Sequence, residues 1–236
     1  RLVKLPWANI RSSFESLLFP QLCLSCEQAI DGAQRPFLCA SCQIDLPFTQ
    51  HHLLVENEIT DRLAGRVPLT FGGALFYYQP NTSVQRMIHA LKYYQRPDLA
   101  EKLGQVHGLR LKGVDRLKDI SAIVPVPLHP KRLKERGYNQ AEYYGRGLAA
   151  KLRVPQRLDI LERTSFAGSQ TKKSSVERLK NVSNVFRVRQ NNVVENHILL
   201  VDDVLTTGAT LDLCAEVLMN AMPNLRISVA TIGLAT

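Results

Sequence analysis

"ILLVDDVLTTGAT", from Ile198 to Thr210, decides how this chain folds. Ile198 to Val201 are four apolar residues in a row, the pattern of a strand buried on both faces of a sheet. Asp202 and Asp203 follow without a gap, and Thr206, Thr207, Gly208, Ala209 and Thr210 lead into a helix predicted to begin near Leu211. Strand-end loops of parallel sheets are where α/β proteins hold ligands. The first amides of the helix have no partner within it and carry the positive end of its dipole, which suits a phosphate. Small residues let the backbone approach an anion, and the threonine hydroxyls add hydrogen bonds without a lysine. The carboxylates do something different. They accept hydrogen bonds from a vicinal diol, and their charge favours a cationic sugar in a transition state. A bare Asp-Asp could equally hold a metal or cap a helix. The Gly-Lys-Ser/Thr of a P-loop and the G-x-G-x-x-G of a dinucleotide site are both missing from this loop.

Phosphoribosyl pyrophosphate combines a 5-phosphate, a 2,3-diol and a ribose carbon that becomes cationic. The stretch resembles the fingerprint of the type I phosphoribosyltransferases. By that resemblance Asp202 and Asp203 are the ribose-binding and catalytic candidates, and Thr206, Thr207, Gly208, Ala209 and Thr210 cradle the 5-phosphate. Mg2+ would accompany the ligand. The implied fold is α/β, a type I phosphoribosyltransferase-like parallel sheet flanked by helices, with a hood over the site.

Working outward, residues 119–236 alternate strand and helix: "ISAIVPV", "QAEYYGRGLAAKL", "HILLV", "LDLCAEVLMNAM" and "RISVATIGLA". They are expected to form the core, with Cys214 on the buried face of its helix. Residues 51–118 are expected to form a hood or accessory segment. It holds the strand "GALFYY" and a helix with Val84, Met87, Ile88 and Leu91 on one face. A second helix runs from Asp98, after Pro97, to about Lys112. Residues from about 51 to 70 carry no assignable pattern. In residues 1–50, Trp7, Ile10, Phe14, Leu17 and Leu18 recur at helical spacing ahead of the first cysteine.

Two further stretches could complete a site. "VPVPLHPKRLKERGYNQ" supplies Lys131, Arg132, Lys134, Arg136 and Gly137 after a predicted strand, similar to a pyrophosphate loop; a solvated basic turn is the plainer reading. "RTSFAGSQTKKSSVERLKN" is long and polar, as catalytic lids are, with Gln170 and Arg178 as candidate ligand contacts. A surface loop would look similar.

Cys23, Cys26, Cys39 and Cys42 are spaced C-x2-C-x12-C-x2-C. Two such knuckles can close tetrahedrally around a structural zinc ion. Two disulfides would suit a secreted protein, and nothing else suggests secretion. "RLVKLPWANIRSSFESLLFP" is interrupted by polar residues and does not read as a secretory signal. No run of about 18 apolar residues marks a membrane span, so no membrane insertion is expected. The net charge of +9, with basic clusters at Lys131–Arg136 and Arg163–Arg189, points to a polyanionic partner.

Taken together, the four cysteines, "IHALKYYQRPDLAEKLG", "IVPVPLHPKRLKERGYNQ", the pattern Arg163, Gln170, Arg178 and Asn181, and "VDDVLTTGAT" resemble the ComF family. These are competence-associated, phosphoribosyltransferase-like proteins that include the GntX type. The resemblance implies a cytoplasmic protein that handles incoming single-stranded DNA during natural transformation, beside a helicase-like competence ATPase. Tyr77, Tyr78, Tyr93, Tyr94 and Tyr138 lie near basic residues and are expected chiefly in hood or core packing, with one or two free to stack on bases; His89 is expected to be structural. The alternative function is a salvage phosphoribosyltransferase that moves phosphoribose onto a nucleobase. No base-selecting loop is recognisable for it.

Overall fold

Strand β5, His197–Leu205, lies inside a parallel sheet of four strands in the order β1-β6-β5-β2. The other three are β1, Leu69–Tyr78, β2, Ala122–Pro125, and β6, Arg226–Ala235. The computed structural model describes residues 21–30, 36–164, 185–189 and 195–236. The helix expected around Trp7 to Leu18, and Gln170 and Arg178, lie outside these described residues.

β5 pairs with β6 from His197↔Arg226 to Leu205↔Leu234, but with β2 only from Ala122↔Ile198 to Pro125↔Val201. The Val126 amide adds the last bond to β5, at the Val201 carbonyl, at 2.9 Å. Asp202 is therefore the first residue of β5 to emerge beyond β2, and the acidic pair faces the space that the shorter strand leaves open.

Side chains alternate along β5. Leu199 and Val201 share one core with Ala230 and Ile232 of β6 and with Leu91, Leu99, Tyr144 and Leu148. Those last four come from α3, Ser83–Tyr93, α4, Pro97–Leu111, and α6, Gln140–Leu152. Ile198 and Leu200 point the other way, into a second core with Ile59, Leu63, Phe186, Leu211 and Leu218. That face is covered by α2, Glu58–Leu63, by α7, Ala209–Ala221, and by an antiparallel pair, β3, Leu161–Arg163, with β4, Phe186–Val188. Burial on both faces explains why the strand reads as a continuous apolar run.

α4 and α6 cross at glycines. A Cβ on Gly104 would come within 2.1 Å of the Tyr144 carbonyl oxygen, and one on Gly147 within 2.1 Å of the Glu101 carbonyl oxygen. The two backbones touch where any side chain would hold them apart.

Within residues 51–118, β1 is a strand of the sheet. β1 pairs with β6 from Leu69↔Ile227 to Tyr78↔Ala235, and α4 packs against α6. The limits of α6 and β6 follow the hydrophobic spacing closely, and several elements go beyond it, α5, Pro130–Arg136, among them. "PKRLKER" is not a loop but a short helix. The His129 imidazole caps it by accepting from the Lys131 amide at 3.1 Å, and Gly137 closes it at φ 78°. Proline in the first turn and glycine just past the end were the available signals. The remaining helix, α1, Ala40–Ile44, carries the last of the knuckle cysteines. Among the described residues no helix is long and apolar enough to cross a membrane.

Candidate functional site

The acidic pair sits at the C-terminal end of β5 with both side chains half-buried. The Asp203 amide donates to Asp202 Oδ1 at 2.8 Å, and the Val204 amide to Asp203 Oδ1 at 2.7 Å. Lys92, at the end of α3, places Nζ 3.2 Å from Asp203 Oδ2. Burial first, and then the neighbouring charge of Asp203, push Asp202 up to about 8 against the weaker pull of Lys92 and Arg163. Two carboxylates side by side and partly withdrawn from water do not both ionise readily. This is the strongest departure from an ordinary carboxylate among the described residues.

After β5 the chain turns through Thr206 and Thr207 to Gly208, which caps α7 at φ 87°. Thr206, Thr207, Ala209 and Thr210 are exposed, whereas Gly208 is buried. A Cβ on Gly208 would press 2.7 Å from Leu63 Cδ2, so both its backbone angle and its space call for glycine. The unassigned residues 51–70 hold this turn in place. Asn57 caps α2 and forms a reciprocal box with Thr60. From α2, the Arg62 guanidinium donates to the carbonyls of Thr206 and Ala235, and Arg66 beyond it pairs with Asp212 in the first turn of α7. Nothing in the spacing of residues 51–70 announced that role, because it rests on contacts to chain more than a hundred residues away.

The basic stretch approaches from the opposite side. Tyr138 donates its hydroxyl, and Gln140 its amide at 3.3 Å, to the Leu91 carbonyl, which fixes the α5–α6 junction against the end of α3. Asn139 caps α6 and also donates to the Val126 carbonyl at 3.0 Å. A pocket of about 410 Å³ results, lined by Lys92, Tyr93, Gln95, Arg132, Glu135 and Arg136. Arg132 and Arg136 thus share a cavity with the lysine that pairs with Asp203; Lys131 is not in its lining. Gly137 lies at the turn behind them with open space around it. Arg163 stands on β3 with its guanidinium carbon 5.1 Å from the Phe186 ring centre. Its buried Nε has no hydrogen-bond partner among the described residues. Sequence reasoning did not select Lys92. It reads as one more cation on a helix, and only the packing of α3 beside β5 gives it a carboxylate partner.

The four knuckle cysteines converge, their sulfur atoms all within 4.8 Å of one another. Zinc–thiolate bonds of about 2.3 Å in a tetrahedron set sulfur atoms about 3.8 Å apart, and Cys26 and Cys39 are already at 3.7 Å. The Ser25 and Cys39 amides donate to Cys23 Sγ at 3.4 and 3.3 Å. Burial opposes ionisation of that thiol, but backbone donors outweigh it and hold Cys23 down to about 6, as a metal-ligating thiolate requires. The donor set fits a four-coordinate structural metal with no position left open. Ser25 Oγ lies 2.6 Å from Ser83 Oγ, which ties the knuckle to the start of α3. Cys214, by contrast, is fully buried in the second core and its thiol is pushed well up by burial.

No family model matches the chain. It is 29% identical over 206 residues to competence protein F of Haemophilus influenzae, covering 84% of this chain and 83% of that one. It is 32% identical over 148 residues to DNA utilization protein YhgH of Escherichia coli O157:H7, covering 60% of this chain and 63% of that protein, so it spans less than two thirds of that relative. Competence protein ComFC of Bacillus subtilis is 36% identical over 97 residues, 41% of this chain and 38% of that one. Among solved structures, the allosteric regulatory enzyme of purine biosynthesis aligns at TM-score 0.42 and 18% identity over 61% of this chain and 29% of that one. Adenine phosphoribosyltransferase from Leishmania tarentolae aligns at TM-score 0.31 and 15% identity, over 61% of this chain and 73% of that one. The chain is a homologue of the proteins named competence protein F, ComFC and DNA utilization protein YhgH.

Proposed function

We propose that the chain binds phosphoribosyl pyrophosphate, or a closely related sugar phosphate, with Mg2+ at the end of β5, and that it serves the handling of single-stranded DNA. The observation that carries the first half is the half-buried Asp202–Asp203 pair beyond the end of β2, followed directly by the Gly208 turn into α7. In this reading the carboxylates accept the ribose hydroxyls, and the amides and hydroxyls of Thr206 to Thr210 hold the 5-phosphate. Lys92, Arg132 and Arg136 supply the positive charge that a pyrophosphate needs, and Mg2+ supplies further charge neutralisation when bound. Negative charge on the pair would favour a cationic ribose, which makes Asp202 and Asp203 the candidate catalytic residues for transfer to an acceptor. The second half is supported by the names of the homologues and by the net charge of +9. In this reading the protein would act in the cytoplasm beside a helicase-like competence ATPase.

Titration calorimetry with phosphoribosyl pyrophosphate and Mg2+ tests the site. Wild-type protein is expected to bind, and Asp202→Ala with Asp203→Ala to lose all measurable heat while still melting cooperatively. Retained affinity in the double variant would remove the assignment. The same titration with free nucleobases in the second syringe separates a salvage enzyme from a binding protein, since only the former forms a ternary complex.

A further inference from the structure

A second cavity has a different character. About 580 Å³ in volume, it runs along the outer face of α3 towards the knuckle, and it shares Lys92 and Tyr93 with the pocket beside the acidic pair. Tyr93 and Tyr94 are 64% and 62% exposed. Of the five tyrosines, Tyr138 is inside the core and Tyr77 and Tyr78 pack against it, while Tyr93 and Tyr94 are the two left free at the surface. His89 is exposed as well, with its ring centre 4.6 Å from Tyr93 and 5.3 Å from Tyr94. Two tyrosine rings set against one histidine, all three open to water, are unusual on a surface that has nothing to bind, because each leaves a large apolar face unburied. Arg86 stands one turn before His89 on the same face, and Lys92 closes the other end; Glu27 of the knuckle is the one carboxylate in the lining.

We infer that His89, Tyr93 and Tyr94 form a stacking platform for the bases of single-stranded nucleic acid, with Arg86 and Lys92 taking the phosphates. The inference rests on the reading above that the chain handles a nucleic-acid strand, and it gives that strand a location. Flat rings flanked by cations match a polymer that alternates bases with phosphates, and stacking needs bases that are not already paired. A duplex offers its phosphates but hides the faces of its bases. Because the groove shares Lys92 and Tyr93 with the pocket next to it, and Lys92 pairs with Asp203, a strand lying on the platform would end next to the proposed sugar-phosphate site.

The test is fluorescence anisotropy of a labelled oligothymidylate, across a salt series, on the full chain. Tyr93→Ala with Tyr94→Ala is expected to weaken binding about five- to a hundredfold at every salt concentration, because base stacking is lost while phosphate contacts stay. The slope of log affinity against log salt should therefore match wild type. Tyr93→Trp with Tyr94→Trp should restore affinity, which a merely structural role would not allow. Arg86→Ala should instead flatten the slope by about 0.7, the value for one phosphate contact on a single strand. If wild type binds the oligonucleotide and the double alanine variant binds it equally well, the platform is wrong and the DNA-handling reading survives. If wild type does not bind at all, both fall.

Discussion

Burial and the adjacent charge of Asp203 push Asp202 up to about 8, so at neutral pH the ligand-free Asp202 carboxyl is largely protonated. The consequence for stability has a definite sign. The folded-state value lies above the ordinary 3.8, so the folded chain binds this proton more tightly than the unfolded one does. The resulting stability is complete below about pH 4 and is lost as pH rises through about 8. Asp202→Asn keeps the neutral shape and removes the charge. It is expected to raise the melting temperature of the ligand-free protein at pH 8 by an amount on the order of 1 kcal/mol, or about 2–4 °C, with a smaller gain at pH 5. Equal melting temperatures at pH 8 would show that Asp202 ionises freely and that its site is wetter than the packing indicates. A carboxylate that destabilises its own fold is what a ligand site looks like before the ligand arrives.

At the scale of elements, the knuckle has little core of its own. α1 has no buried residue, and of the four cysteines only Cys23 is buried. The knuckle is joined to the rest through Leu24, Phe37, Cys39 and Cys42 on the first core, the Ser25–Ser83 contact and the Arg96 guanidinium 4.8 Å from the Phe37 ring centre. So small an element needs a staple. Purified protein is expected to carry one zinc per chain by elemental analysis. Chelation should expose the backbone amides of residues 21–30 and 36–48 to hydrogen exchange while β5 and β6 stay protected. Absence of metal, or unchanged protection after chelation, would count against the metal centre. The legible elements have a common feature. The limits of α6, Gln140–Leu152, and β6, Arg226–Ala235, could be read from local apolar spacing, and the cysteine tetrad from its spacing alone. α2, by contrast, is defined by its contacts with Thr206, Gly208 and Ala235 across the fold. α5 was obscured because its seven residues are mostly charged and bury nothing, which leaves no periodic signal. Of the candidate site, the carboxylates and the glycine turn were visible as a contiguous string. Lys92 was not, because its role arises only when α3 is laid beside β5.

For the whole molecule, the net charge of +9 gains meaning from where the cations lie. Lys92, Arg132 and Arg136 line one cavity, and Arg86 and Lys92 the next, so the charge near the end of β5 forms a path rather than an even coating. A phosphodiester strand following that path would meet these four cations in turn. Each phosphate neutralised releases condensed counterions, and for a single strand log affinity falls by about 0.7 per contact for each tenfold rise in salt. Four contacts give a slope near −3, which corresponds to a loss of roughly fiftyfold between 50 and 200 mM salt. Oligonucleotide binding by the full chain is expected to follow that steepness, and Arg132→Ala with Arg136→Ala to bring the slope to about half of it. A flat salt response in wild type would mean that the basic excess is surface charge with no polyanion to meet. An unchanged slope in the double variant would place the strand away from α5 and disconnect it from the carboxylate pair.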